Sequence, residues 1–202
     1  MRLSGRLFWG YLVLMVLLGI NPYNREVWLA ENIPMWLIVG AIVWASRFHT
    51  FSGLSFAAMA VLIVLHTIGG HFTFERVPFG WVTETMGFER NHYDRIAHFS
   101  VGFYAYPIME FLLARQLITH RVVLGLFGLF SIISVAGAYE VIEWLYAVSA
   151  DPEAGIAVLG SQGDIWDAQK DILADTLGAL VAIVVFFIRH PSLSHQSAGH
   201  KA

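Results

Sequence analysis

The sequence predicts an all-α fold, a polytopic bundle of about six transmembrane helices with no separate soluble domain. Three observations predict it. Of 202 residues, 57% are hydrophobic and only 13% are charged, whereas soluble domains carry about a quarter charged residues. The mean hydropathy is +0.62, and fifteen Phe, seven Trp and seven Tyr accompany it. Six apolar stretches follow one another along the chain; against the roughly 20 residues that cross a bilayer, the second and third read as short or as starting in the headgroup region.

The first stretch covers residues 7–20. Arg2 and Arg6 precede it as in a signal peptide, but Asn21, Pro22 and Tyr23 follow where a small-residue cleavage site would stand. It therefore reads as a retained membrane helix. The second covers residues 27–45, with its apolar centre at 33–45 and Glu31 expected at the interface. The third covers 54–70, the fourth 96–117, the fifth 122–148 and the sixth 172–188. Five spans, with the second lying at the interface, is the alternative count. Residues 1–190 are read as one transmembrane domain and 191–202 as a disordered polar tail.

Six spans put both termini on one side. That side collects Arg2, Arg6, Arg47, Arg115, Arg121, Arg189 and Lys201; the other collects Arg25, Arg76, Arg90, Arg95 and Lys170. The bias of seven against five favours cytoplasmic termini. Two long loops, residues 71–95 and 149–171, then share the external side. Long loops in a compact protein are more often functional than accidental.

Composition excludes several functions. A net charge of −3 without a polybasic run argues against nucleic-acid binding. With no cysteine there is no disulfide and no thiolate metal site. Any metal would need carboxylate and imidazole ligands. No HExxH or Walker pattern is present.

The most informative stretch is GDIWDAQKDILADTLGA, residues 163–179. Asp164, Asp167, Asp171 and Asp175 fall at steps of three, four and four, which place them on one helical face. Stacked like charges destabilise a helix unless a metal ion, a basic partner or bound protons neutralise them. Alternating spans bring other ionisable residues to the same end. The fourth begins with Asp94 and His98, four residues apart, and the fifth carries Glu140 and Glu143 in its matching half. Asp94 and Asp164 could also serve as helix N-caps. Arg90, Arg95 and Lys170 are the nearby cations. His66, Tyr104 and Tyr106 read as helix-packing residues, and Glu110 lies toward the opposite end.

The strings YDRIAHFSVGF (93–103), AYEVIEW (138–144) and GDIWDAQKDILADTLGA closely resemble the YjdF-type bacterial inner-membrane proteins, an uncharacterised family. The resemblance spans most of the chain and implies a multi-pass inner-membrane protein. Its distinctive positions match at Asp94, His98, Glu140, Glu143, Asp164, Asp167, Lys170, Asp171 and Asp175. The polar start of the fourth span and the acidic last helix are also distantly similar to VanZ-type membrane proteins, linked to glycopeptide resistance; no residue is carried over from that likeness.

Three functional readings follow. The leading one is a membrane-embedded site for a divalent metal ion or protons, acting on a lipid or lipid-linked headgroup. Its metal ligands come from Asp94, His98, Glu140, Glu143, Asp164, Asp167, Asp171 and Asp175, with His71 as a further imidazole. His98 and Glu143 would serve in acid/base chemistry, and Arg95 and Lys170 would hold an anionic group. The second is a cation or proton transporter using the same carboxylates. The third is a non-catalytic envelope-assembly protein whose polar cluster is structural. The lipid bilayer is the one partner common to all three, and the oligomeric state stays open.

Overall fold

The computed structural model describes residues 3–191. Nine α-helical segments and two short 3-10 turns account for most of them, and no strand occurs among the described residues. In order they are α1 (Leu3–Gly19), α2 (Arg25–Ala45), α3 (Gly53–Phe72), α4 (Gly80–Met86), α5 (Tyr93–Val101), α6 (Ala105–Ala114), α7 (Arg121–Ser149), α8 (Pro152–Leu159) and α9 (Asp167–Arg189). The fold is the expected polytopic helical bundle. The polar tail from residue 192 lies outside the described residues.

Among the described residues, five units are long and apolar enough to cross a membrane: α2, α3, the α5–α6 rod, α7 and α9. α1 is apolar but has 17 residues. At 1.5 Å per residue it measures about 25 Å, short of the roughly 30 Å hydrocarbon core. The short member is thus the first helix, while the second and third, expected to be short, have 21 and 20 residues. α2 extends to 21 residues because Asn24 caps it, accepting the backbone N–H groups of Glu26 and Val27.

α5 and α6 form one rod, Tyr93–Ala114, tightened by a 3-10 turn at Gly102–Tyr104. Pro107 lacks an N–H to donate back along this segment, which accounts for an irregularity here. α9 packs against both halves of the rod and against α7, while α1 and α2 each pack on α3. The central apolar cluster joins Ala105, Tyr106, Met109, Leu124, Ile132, Ala179, Ala182 and Phe186.

The two long loops carry structure. Residues 149–171 contain α8, which begins at Pro152 behind the capping Asp151 and packs against α7 and α2. At the opposite end of the bundle, Glu110 fastens the loop that enters α3. It accepts Ser52 N at 2.7 Å, Ser52 Oγ at 2.6 Å and Ser55 Oγ at 2.7 Å.

Candidate functional site

The site begins with a backbone crossing. Gly102 and Gly178 let α9 and the α5–α6 rod touch without side chains between them. A Cβ at Gly178 would overlap the Phe99 carbonyl oxygen, and one at Gly102 would overlap the backbone of residues 175–179. The close approach sets Asp94, Arg95 and His98 of α5 against Asp167, Asp171 and Asp175 of α9.

Basic side chains take up the outer part of the acidic stripe. Arg95 donates to both Asp167 and Asp171. Arg90, from the loop before α5, donates to Asp167 at 2.6 Å and to the carbonyls of Ser161 (3.2 Å) and Gly160 (3.3 Å). Lys170 reaches Asp164 at 2.6 Å with half of its side chain exposed. The two cations expected to hold an anionic group therefore both contact the protein's own carboxylates.

Asp164 does not share the helical face of the other three, contrary to the spacing argument. α9 starts only at Asp167, because Gln162 (φ 48°) and Gly163 (φ 85°) adopt left-handed conformations that interrupt helical geometry. Asp164 sits in the turn and accepts the Trp166 N–H at 3.1 Å. Asp94 is no N-cap either: His92 precedes α5, and the Asp94 side chain makes no capping bond.

The inner part of the stripe has another character. His98 Nδ1 lies 3.3 Å from Asp175 Oδ2. Its Nε2 lies 3.6 Å from Asp94 Oδ1 and 3.7 Å from Asp171 Oδ1. One ligand atom from each of Asp94, His98 and Asp171 falls within 4.8 Å of the others. Two donors on a tetrahedral ion with bonds near 2.0–2.1 Å stand about 3.4 Å apart, so these separations suit one small ion. A carboxylate on the far nitrogen of a ligating imidazole fixes its tautomer and direction, which is where Asp175 stands. The second oxygen of Asp175, on a residue only 1% exposed, has no hydrogen-bond partner among the described residues.

Asp94, His98 and Asp175 form one wall of a cavity of about 80 Å³. Glu31, His66, Tyr139 and Glu143 form the facing wall, and Val158, Leu159 and Gly160 at the end of α8 close it. His66 Nε2 lies 3.0 Å from Glu31 Oε2, and the Tyr139 hydroxyl donates to that same oxygen at 3.3 Å. The His66 ring is held edge-on by Phe74 and Tyr139 at centroid distances of 5.1 and 6.1 Å.

This second wall corrects two expectations. Glu31, expected at the interface, is 2% exposed and buried inside the bundle, and His66, expected only to pack, has Nε2 3.0 Å from the Glu31 carboxylate. Their signal was present in the spacing. Glu31, Met35 and Ile38 share one helical face, as do Leu62 and His66, and all five line the cavity. Tyr139 and Glu143 repeat the four-residue step on α7. Glu140 stands outside the lining, with Oε1 buried and without a partner. His71 turns away: its Nδ1 meets the Leu18 carbonyl of α1 at 2.7 Å.

Outside the spans, two groups are perturbed. The Lys170 ammonium bonded to Asp164 holds that carboxyl below its usual range, helped by the Trp166 N–H. Burial pushes the His92 imidazole down, and the charges of Arg90, Arg95 and Lys170 push it the same way.

The chain matches the family described as "Predicted membrane protein (DUF2238)" over residues 4–192, and it belongs to that family. It is similar to the "Inner membrane protein YjdF" of Escherichia coli (strain K12), with 28% identity over 174 residues that cover 85% of this chain and 83% of the relative. No solved structure matches it. The expected YjdF-type resemblance holds, and the relative together with the apolar helices supports a multi-pass inner-membrane protein.

Proposed function

We propose that this DUF2238 protein binds a divalent metal ion at Asp94, His98 and Asp171, and uses it to activate water at the membrane-embedded cavity. The observation that carries this reading is the charge of the cavity lining. Glu31, Asp94, Glu143 and Asp175 face it with His66 and His98, and no Lys or Arg among the described residues joins them. Protonating both imidazoles would still leave two negative charges on the lining, where the one guanidinium contact among the described residues is Arg95 at 3.9 Å from Asp94. Buried uncompensated charge costs several kcal/mol per ion, and one divalent cation removes the excess.

The donor set of one imidazole and two carboxylates suits Mn²⁺, Mg²⁺ or Zn²⁺ better than softer ions. Asp171 can serve Arg95 and an ion together, since a carboxylate offers about four lone-pair directions. No Ser, Thr or Cys lines the cavity among the described residues. Chemistry there would therefore run through metal-activated water, with His66, Tyr139 and Glu143 as the proton-handling groups opposite. The cavity holds only a few waters, so a lipid-linked headgroup would enter by displacing the α8 cover. Placing this end on the periplasmic face rests on the basic-residue bias of the loops. The transport reading is weaker, because Glu110, the one acidic group toward the opposite end, is engaged by Ser52 and Ser55.

The test is metal content. Wild type and the Asp94→Asn, His98→Gln and Asp171→Asn variants are purified, incubated with Mn²⁺ or Zn²⁺, washed and analysed by mass spectrometry. We expect about one ion per wild-type chain and a large loss in each variant that keeps its unfolding temperature. Equal, near-zero metal in all four proteins would sink the proposal.

A further inference from the structure

A second cavity opens at the other end of the bundle. α1 and α2 meet at their shared turn: Arg25 Nη1 donates to the Gly19 carbonyl at 2.8 Å, and a Cβ at Gly19 would stand 3.2 Å from the Trp28 ring. Away from that turn, a groove of about 530 Å³ lies between the two helices. α1 lines it from Ser4 to Leu14, α2 from Val39 to Ser46, and α3 supplies the floor from Phe56 to Val64.

Three features say what fills it. The lining is almost wholly apolar along its length, with Leu14 and Ile63 among the residues farthest from the groove's polar end. Ser4 to Leu14 spans ten helical steps, or about 15 Å, which is half of the roughly 30 Å hydrocarbon core. That is the depth of one leaflet and so the reach of one acyl chain. At the open end stand Arg6 and Ser4. The Arg6 guanidinium has no ion-pair partner among the described residues, and the residue is exposed. A guanidinium at headgroup depth matches a phosphate, which it binds through paired hydrogen bonds.

We infer that the α1–α2–α3 groove is a binding site for one anionic phospholipid, its acyl chain along Gly10 and Met59 and its phosphate on Arg6. The site is independent of the carboxylate cavity. It uses the far halves of α2 and α3, and none of its lining residues lines the other cavity.

Gly10 provides a clean probe, because a Cβ there meets nothing within 4 Å. Gly10→Leu projects a branched side chain from that open position on the groove lining. Wild type, Arg6→Gln and Gly10→Leu are delipidated and titrated with phosphatidylglycerol and with phosphatidylcholine, and bound lipid is counted by native mass spectrometry. We expect wild type to hold the first phosphatidylglycerol roughly tenfold more tightly than phosphatidylcholine. Arg6→Gln should erase that preference while keeping a bound lipid. Gly10→Leu should lose the tight lipid with its unfolding temperature unchanged. Equal affinity for the two lipids in wild type, retention by Gly10→Leu, or a lipid-free dimer whose interface Gly10→Leu disrupts would each overturn the assignment.

Discussion

Replacing Gly178 by alanine should loosen the site without touching any of its charged residues. The new methyl group overlaps the Phe99 carbonyl oxygen, a backbone atom that no rotamer change can move. Ordinary packing distance is about 3.5 Å, so one helix must retreat by on the order of 1 Å. His98 sits one turn from that crossing, and its contacts to Asp175 (3.3 Å) and Asp171 (3.7 Å) have no slack to absorb such a shift. Overpacking of this kind costs about 1–3 kcal/mol. For a chain of this size that is a fall of roughly 2–10 °C in Tm. Alanine is otherwise the better helix former by about 1 kcal/mol, which supplies the control. Gly137 lies within α7, and a Cβ there meets nothing within 4 Å. Thermal unfolding in detergent should therefore show Gly178→Ala below wild type and Gly137→Ala at or above it. Bound metal should fall in the first variant alone. A Gly178→Ala protein with wild-type Tm and metal content would refute the claim that this crossing sets the site.

Arg95→Gln should be among the most disruptive single changes, since it leaves Asp167 and Asp171, 6% and 3% exposed, with reduced compensation. Breaking a buried pair costs about 3–5 kcal/mol; a loss of folded protein that the additional Asp171→Asn change partly restores is the expected pattern, and no recovery would count against direct pairing. For His92, the depressed folded pKa means that the unfolded chain binds the proton more readily. The stability that neutral His92 contributes is present above the unfolded value near 6.5 and is lost as pH falls through the folded value. Imidazole NMR shifts should find it mostly neutral at pH 6.5, and Arg90→Gln should raise its pKa; a half-protonated ring at that pH in wild type would contradict the reading.

The spans were legible because length and hydropathy decide them. Their edges were less so, since Asn24 capping and the α5 start at Tyr93 depend on local polar groups. The spacing of Asp167, Asp171 and Asp175 correctly described one buried face, with 6%, 3% and 1% exposure. Asp164 broke the pattern, because a periodicity argument does not register the left-handed Gln162 and Gly163 before the helix. Glu31 and His66 were harder. Each is one of a few polar residues in an apolar helix, and nothing in either helix names its partner on the other. A pairing between chain segments 35 residues apart becomes visible only when the two helices are set side by side.

The distribution of partners across the carboxylates argues for a ligand more strongly than their number does. Had the acidic stripe been a structural network alone, its cations should serve the most deeply buried acids first, since those cost most to leave unpaired. The structure leaves the deepest one out. Arg90, Arg95 and Lys170 gather on Asp164, Asp167 and Asp171. Asp175, at 1% exposed the least accessible of the four, has only the His98 imidazole on one oxygen and nothing on the other. Glu31 likewise has only neutralisable partners, an imidazole and a phenol. The arginines thus brace the outer rim, where Arg90 also ties down the carbonyls that follow α8. Under the metal proposal, the interior groups are the ones whose charge an exchangeable cation would meet. On the proposed reading the guanidinium groups brace the rim and the centre is left for an ion, with Asp171 shared between the two.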